Sequence, residues 1–166
     1  MFYCVYCYCV YLCEKFHLNK RIMNREILFR GKRCSDGKWV YGFYVESKYS
    51  WQGHKPHKSW IVPNAISNGG FFNVLGRYAV KDDTVGQFTG QYDKNDKKIY
   101  EGDIVRWDKD QKMYVVVFRN GMFYASVEPC NPHIYGGFPL WFLCEEEQHC
   151  EIVGNVYDNP ELLATK

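Results

Sequence analysis

The sequence is short of nearly everything that would announce an activity. Nothing in its 166 residues approaches the roughly 20 consecutive apolar side chains that carry a helix across a bilayer. No run of like charge is long enough to act as a tail, and a net charge of +2 is too small to argue for a nucleic-acid partner by itself. There is no glycine-rich phosphate loop. Neither Cys34 nor Cys130 has a histidine partner that would make it a nucleophile. One Cys-x-x-Cys occurs, at Cys4 and Cys7, but no second knuckle follows at a zinc-binding spacing. No small-molecule substrate and no cofactor is identifiable.

Aromatic residues, by contrast, are plentiful. They make up 18% of the chain, as 14 Tyr, 11 Phe and 5 Trp, inside an ordinary balance of 46% hydrophobic and 24% charged residues. Aromatic and β-branched side chains suit half-buried pleated surfaces, so composition leans towards sheet. The length fits one domain.

Residues 1–22 read as a different kind of sequence. Met1–Cys13 holds four of the eight cysteines, and positive charge comes only afterwards, at Lys15, Lys20 and Arg21. That order is the reverse of a secretory signal. The run beginning Met23-Asn24-Arg25-Glu26-Ile27 reads as the natural start of a domain over 23–166, with 1–22 as translated upstream sequence. Residues 1–22 contain three of the 21 basic and one of the 19 acidic residues, so the remainder carries 18 of each sign. Cys34, Cys130, Cys144 and Cys150 are expected to be reduced, structural thiols of a cytoplasm.

Along the body of the chain, Arg25–Arg30 predicts a short strand with Ile27 and Phe29 on one face and Glu26, Leu28 and Arg30 on the other. Ser35-Asp36-Gly37-Lys38 is a turn signal, and Trp39–Glu46 predicts a strand that completes a hairpin. Residues 47–76 form a long irregular insertion in which Trp60-Ile61-Val62 suggests a strand. Arg77–Val80 and Thr84–Phe88 predict further strands, with Gly86 marking a bulge or a close backbone approach. Asp93–Lys97 is a polar turn and Glu101-Gly102 a corner feeding Asp103–Trp107. Lys112–Phe118 and Met122–Val127 make a hairpin through Asn120-Gly121. Pro129–Pro139 reads as a loop, Cys150–Tyr157 as a last strand, and Asn159-Pro160 as the cap and first position of a helical turn. The expected fold is mainly β: a small barrel-like domain of short antiparallel strands, with a long insertion and a short C-terminal helical turn.

Four segments then carry a resemblance. They are Arg25-Glu26-Ile27-Leu28-Phe29-Arg30-Gly31-Lys32, Asp36-Gly37-Lys38-Trp39-Val40-Tyr41-Gly42, the whole of Thr84–Val105, and Ile152–Leu163. In this order they resemble the YopX family of phage and prophage proteins. Relatives often carry Gly where Asp96 stands here. The resemblance implies a mainly β domain encoded by a phage or mobile element. It also implies residence in the cytoplasm of a bacterial host and assembly as a homo-oligomer. It carries no catalytic or binding residues.

Candidate chemistry is sparse. His54-x-x-His57 is interrupted by Pro56, which spoils a helical metal pair, and exposed loop histidines are the plainer reading. Cys144, His149 and Cys150 flank acidic Glu145-Glu146-Glu147, which favours a solvated loop. Glu101 and Asp103 are paired carboxylates, but Asp at such a corner usually accepts backbone N–H groups. Tyr49, Trp51, Lys55, Lys58 and Trp60 place aromatic and basic side chains together in the insertion. Such residues either cap a core, form a subunit contact, or stack single-stranded nucleic acid.

Overall fold

The structure is a computed structural model that describes residues 26–46, 59–63, 77–127, 137–145 and 149–164. Strands dominate, as the aromatic and β-branched composition requires, but they form two five-stranded antiparallel sheets rather than one closed barrel. The first sheet contains β1 (Phe29–Lys32), β2 (Trp39–Glu46), β3 (Ser59–Val62), β4 (Gly86–Tyr92) and β5 (Lys98–Tyr100), in the order β3-β2-β1-β4-β5. The second contains β6 (Asp103–Trp107), β7 (Met113–Arg119), β8 (Met122–Ser126), β9 (Gly137–Pro139) and β10 (Cys150–Asn155), in the order β10-β6-β7-β8-β9. A one-turn helix, α1 (Leu140–Leu143), follows β9, and a 3-10 turn at Pro160–Leu163 supplies the expected helical end. Among the described residues no helix is long and apolar enough to cross a membrane.

The turns fall where their chemistry demands. Gly37 joins β1 to β2 at φ +68°, and Asn120-Gly121 joins β7 to β8 at φ +48° and +83°. Asp96, in the polar turn between β4 and β5, adopts φ +58°, a conformation that Asp tolerates better than most side chains. Gly86 is a close approach: a Cβ there would lie 2.5 Å from the Glu101 carbonyl oxygen.

Several expectations are corrected. Leu28 and Arg30 are each 6% exposed while Ile27 is 36% exposed, so the face read as polar is buried as well, with Phe29 packed against core residues on the other. The physical reason is that Arg30 has a buried anion to meet, as described below. Arg77–Val80 forms isolated bridges, Trp60 to Ala79 and Arg33 to Val80, rather than a strand. Gly137–Pro139, read as the end of a loop, pairs with β8 as an edge strand, where Pro139 is tolerated. Asn159 makes no side-chain cap to the final turn. Its Oδ1 instead accepts the Asn155 backbone N–H at 3.4 Å.

The main core lies on the second sheet, where Val105, Trp107, Tyr114, Val116, Leu140 and Leu143 pack with Ile99 from β5. Leu140 and Leu143 are fully enclosed, and each contributes about 1.5–3 kcal/mol by leaving water. One face of the first sheet buries Val40, Ile61 and Val80, and the other buries Leu28, Phe88 and Tyr100.

The turn between β4 and β5 ties the sheets together. The Asp93 carboxylate is buried and accepts three backbone N–H groups: Asn95 at 2.8 Å, Lys97 at 3.0 Å and, from β10 of the other sheet, Ile152 at 3.2 Å. The next residue, Lys94, donates its N–H to the Cys150 carbonyl at 2.9 Å.

Candidate functional site

Of the residues singled out in the insertion, Tyr49, Trp51, Lys55 and Lys58 lie outside the described residues, as do His54, His57 and, further on, Cys130. Trp60 is described. It sits half-buried on β3 opposite Val45, and by strand alternation it shares a face with Tyr41 and Phe43.

That face carries the most distinctive surface of the molecule. Four rings run across three strands: Tyr41 to Tyr100 at 5.5 Å, Tyr100 to Phe88 at 5.6 Å, and Phe88 to Tyr92 at 5.5 Å between centroids. Phe88 and Tyr100 are buried. Tyr41 at 49%, Phe43 at 54% and Tyr92 at 45% are exposed. Burial pushes the Tyr100 phenol up to about 12, with Tyr41 adding to the effect and Arg30 opposing it, so that phenol stays neutral. Cations accompany it. Lys98 Nζ stands 5.2 Å from the Phe88 ring centre, and the Arg30 guanidinium lies 5.1 Å from Tyr100 and 4.7 Å from Trp39. Contacts of this kind contribute about 0.5–2 kcal/mol as water is excluded.

Beside the strip is an open cleft of about 420 Å³. Tyr41 and Tyr100 line it with Lys97, Lys98, Arg30 and Asp103. Arg30 Nη1 meets Asp103 Oδ1 at 2.6 Å, and Nη2 donates to the Glu101 carbonyl at 3.2 Å. Asp103 Oδ2 also accepts the Tyr100 N–H at 2.8 Å, as expected for a corner aspartate. Burial raises the Asp103 carboxyl above its ordinary value of 3.8, and Arg30 and the Tyr100 N–H oppose that rise. Arg30 Nε is buried without a hydrogen-bond partner. The pair joins β1 of the first sheet to β6 of the second. Asp103 accepts from both Arg30 and the Tyr100 N–H, which fixes its carboxylate as the anchor of the guanidinium.

The remaining sequence candidates do not converge. His149 is exposed at φ +44°, while Cys144 and Cys150 bring their sulfurs to 3.6 Å. Among the described residues, no three His, Cys, Asp or Glu side chains are grouped to hold a metal ion. Sequence reasoning missed Arg30, because nothing local distinguishes a buried arginine from an exposed one. It also missed the strip, since Tyr41, Phe88 and Tyr100 meet only once β1 and β4 are paired.

Comparison with other proteins places the chain. No match is found among curated proteins. The chain is similar to a solved structure, protein EF1440 from Enterococcus faecalis, with 20% identity and a TM-score of 0.48 over 84% of this chain and 99% of that one. Residues 28–164 match the family described as YopX protein, which covers most of the sequence and all four of the segments quoted above, apart from the first three residues of the first. The chain belongs to the YopX family.

Proposed function

We propose that this protein is a non-catalytic binding module of phage or prophage origin. It works in the cytoplasm of the bacterial host by pairing with a second copy of itself through the aromatic strip. The observation that carries this reading is the trio of exposed rings, Tyr41, Phe43 and Tyr92, on one continuous sheet face. Aromatic side chains are enriched at protein interfaces, where they bury large area at small entropic cost. The net charge of the chain is only +2, so two copies meet with little net repulsion. Light scattering across a size-exclusion peak tests the reading. A dimer at tens of micromolar should become a monomer when Tyr41 and Phe43 are both changed to Lys. A wild-type protein that is strictly monomeric overturns it.

A second reading is favoured by the cations on the rings. Lys98 over Phe88 and the exposed Lys97 beside Tyr41 are the groups that hold single-stranded nucleic acid on a sheet face. Binding of an oligonucleotide should then weaken as salt rises, because phosphate contacts release counterions. Absence of any binding at low salt removes this reading.

A further inference from the structure

We propose that Cys144 and Cys150 are an oxidisable dithiol, which a hydroperoxide converts to a disulfide that staples α1 to β10. The two sulfurs lie 3.6 Å apart and share a hydrogen bond. A disulfide needs about 2.05 Å, so the atoms have to close by roughly 1.5 Å, within reach of small side-chain rotations. The two residues come from different elements: Cys144 follows the last turn of α1, and Cys150 opens β10 opposite Trp107. Neither is a surface thiol like the exposed Cys34. Cys150 is 1% exposed within the core and Cys144 is the more accessible of the two. The hydrogen bond they share lowers the Cys150 thiol and raises that of Cys144, so one sulfur of the pair carries thiolate character while the other holds the proton.

The chemistry balances with hydrogen peroxide as the oxidant. The thiolate of one of the two cysteines attacks one peroxide oxygen, the O–O bond breaks, and hydroxide leaves a sulfenic acid on that sulfur. The other sulfur then attacks the sulfenic sulfur, the S–O bond breaks, and water departs with the second thiol's proton. Two thiols and one peroxide give one disulfide and two waters.

The test treats the full chain with hydrogen peroxide, alkylates the remaining thiols, and maps peptides by mass spectrometry. The expected result is a linked Cys144–Cys150 species lacking two hydrogens and closed to alkylation, reopened by dithiothreitol. In Cys144→Ser or Cys150→Ser no link can form, and a sulfenic-acid reagent should trap the remaining cysteine in at least one of the two. The wild-type measurement stands alone if neither variant folds. Full alkylation of both cysteines under conditions that oxidise Cys34 overturns the proposal, and so does over-oxidation of Cys144 with Cys150 untouched.

Discussion

Replacing Arg30 by Met should cost about 3–5 kcal/mol, the penalty for leaving one charge of a buried pair alone. Asp103 is 2% exposed and would keep only the Tyr100 N–H as a partner. The complementary change, Asp103→Asn, retains an oxygen for that N–H but strands the guanidinium between Trp39 and Tyr100. It should cost a similar amount. The double variant Arg30→Met/Asp103→Asn removes both charges together, and its loss should fall short of the summed single losses by about 2–3 kcal/mol. Urea unfolding followed by tryptophan fluorescence reads this directly. With a slope of about 2 kcal/mol per molar, each single change lowers the midpoint by about 2 M. The cycle also has a pH signature. Folding raises the Asp103 carboxyl above 3.8, so the folded state holds that proton more tightly than the unfolded chain. Its contribution is therefore greatest below 3.8 and is lost as pH climbs through the raised value, with Arg30 limiting the loss. The cost of Arg30→Met should shrink as pH falls towards about 4, and with Asp103→Asn already in place it should not change with pH. Additive losses, or a cost for Arg30→Met below about 1 kcal/mol, would refute the view that the pair clamps the two sheets.

Asp93→Ala should lose about 3 kcal/mol, since three backbone N–H groups lose their shared acceptor, and hydrogen exchange at the Ile152 amide should accelerate. Gly42→Ala should be among the most damaging single changes, at about 3 kcal/mol or more, because its Cβ would lie 2.0 Å from the Val62 carbonyl oxygen. Gly37→Ala, at φ +68° with nothing within 4 Å, should cost only about 1–2 kcal/mol in the same unfolding assay. Hydrogen bonds from Lys32, Asn155 and Trp39 hold the Asp158 carboxyl down to about 2 from an ordinary 3.8. Its stabilising effect is therefore complete above 3.8 and is lost as pH falls through about 2. Asp158→Asn should lower the melting temperature at all pH values above 3.8 and flatten its decline between 3.8 and about 2.

What could be read from residues was whatever local chemistry decides. The bounds of β2 followed from a turn signal and a run of aromatic and β-branched residues, and those of β6 from a glycine corner. The β7–β8 hairpin followed from Asn120-Gly121, and the left-handed Asp96 from the polar turn around it. What could not be read depends on partners distant in sequence. Arg30 is interior only because Asp103 lies 2.6 Å away, and β9 is a strand only because Ala125 and Ser126 offer it an edge. Short strands and sharp turns suit a closed barrel and a pair of open sheets equally well, so alternation alone does not choose between them. The aromatic strip was legible as an excess of rings but not as a place. Its members come from three strands whose pairing is not written in any one of them.

The turn at Asp93 has a consequence for how the chain is made. Its carboxylate waits for the Ile152 amide, 59 positions later, and its neighbour waits for the Cys150 carbonyl. A ribosome adding about 5–20 residues per second delivers those partners roughly 3–12 s after the turn itself. During that interval the first sheet has every strand it needs, yet lacks the contacts that fasten its outer hairpin. The last strand to emerge therefore completes its own sheet and, in the same event, finishes the one made before it.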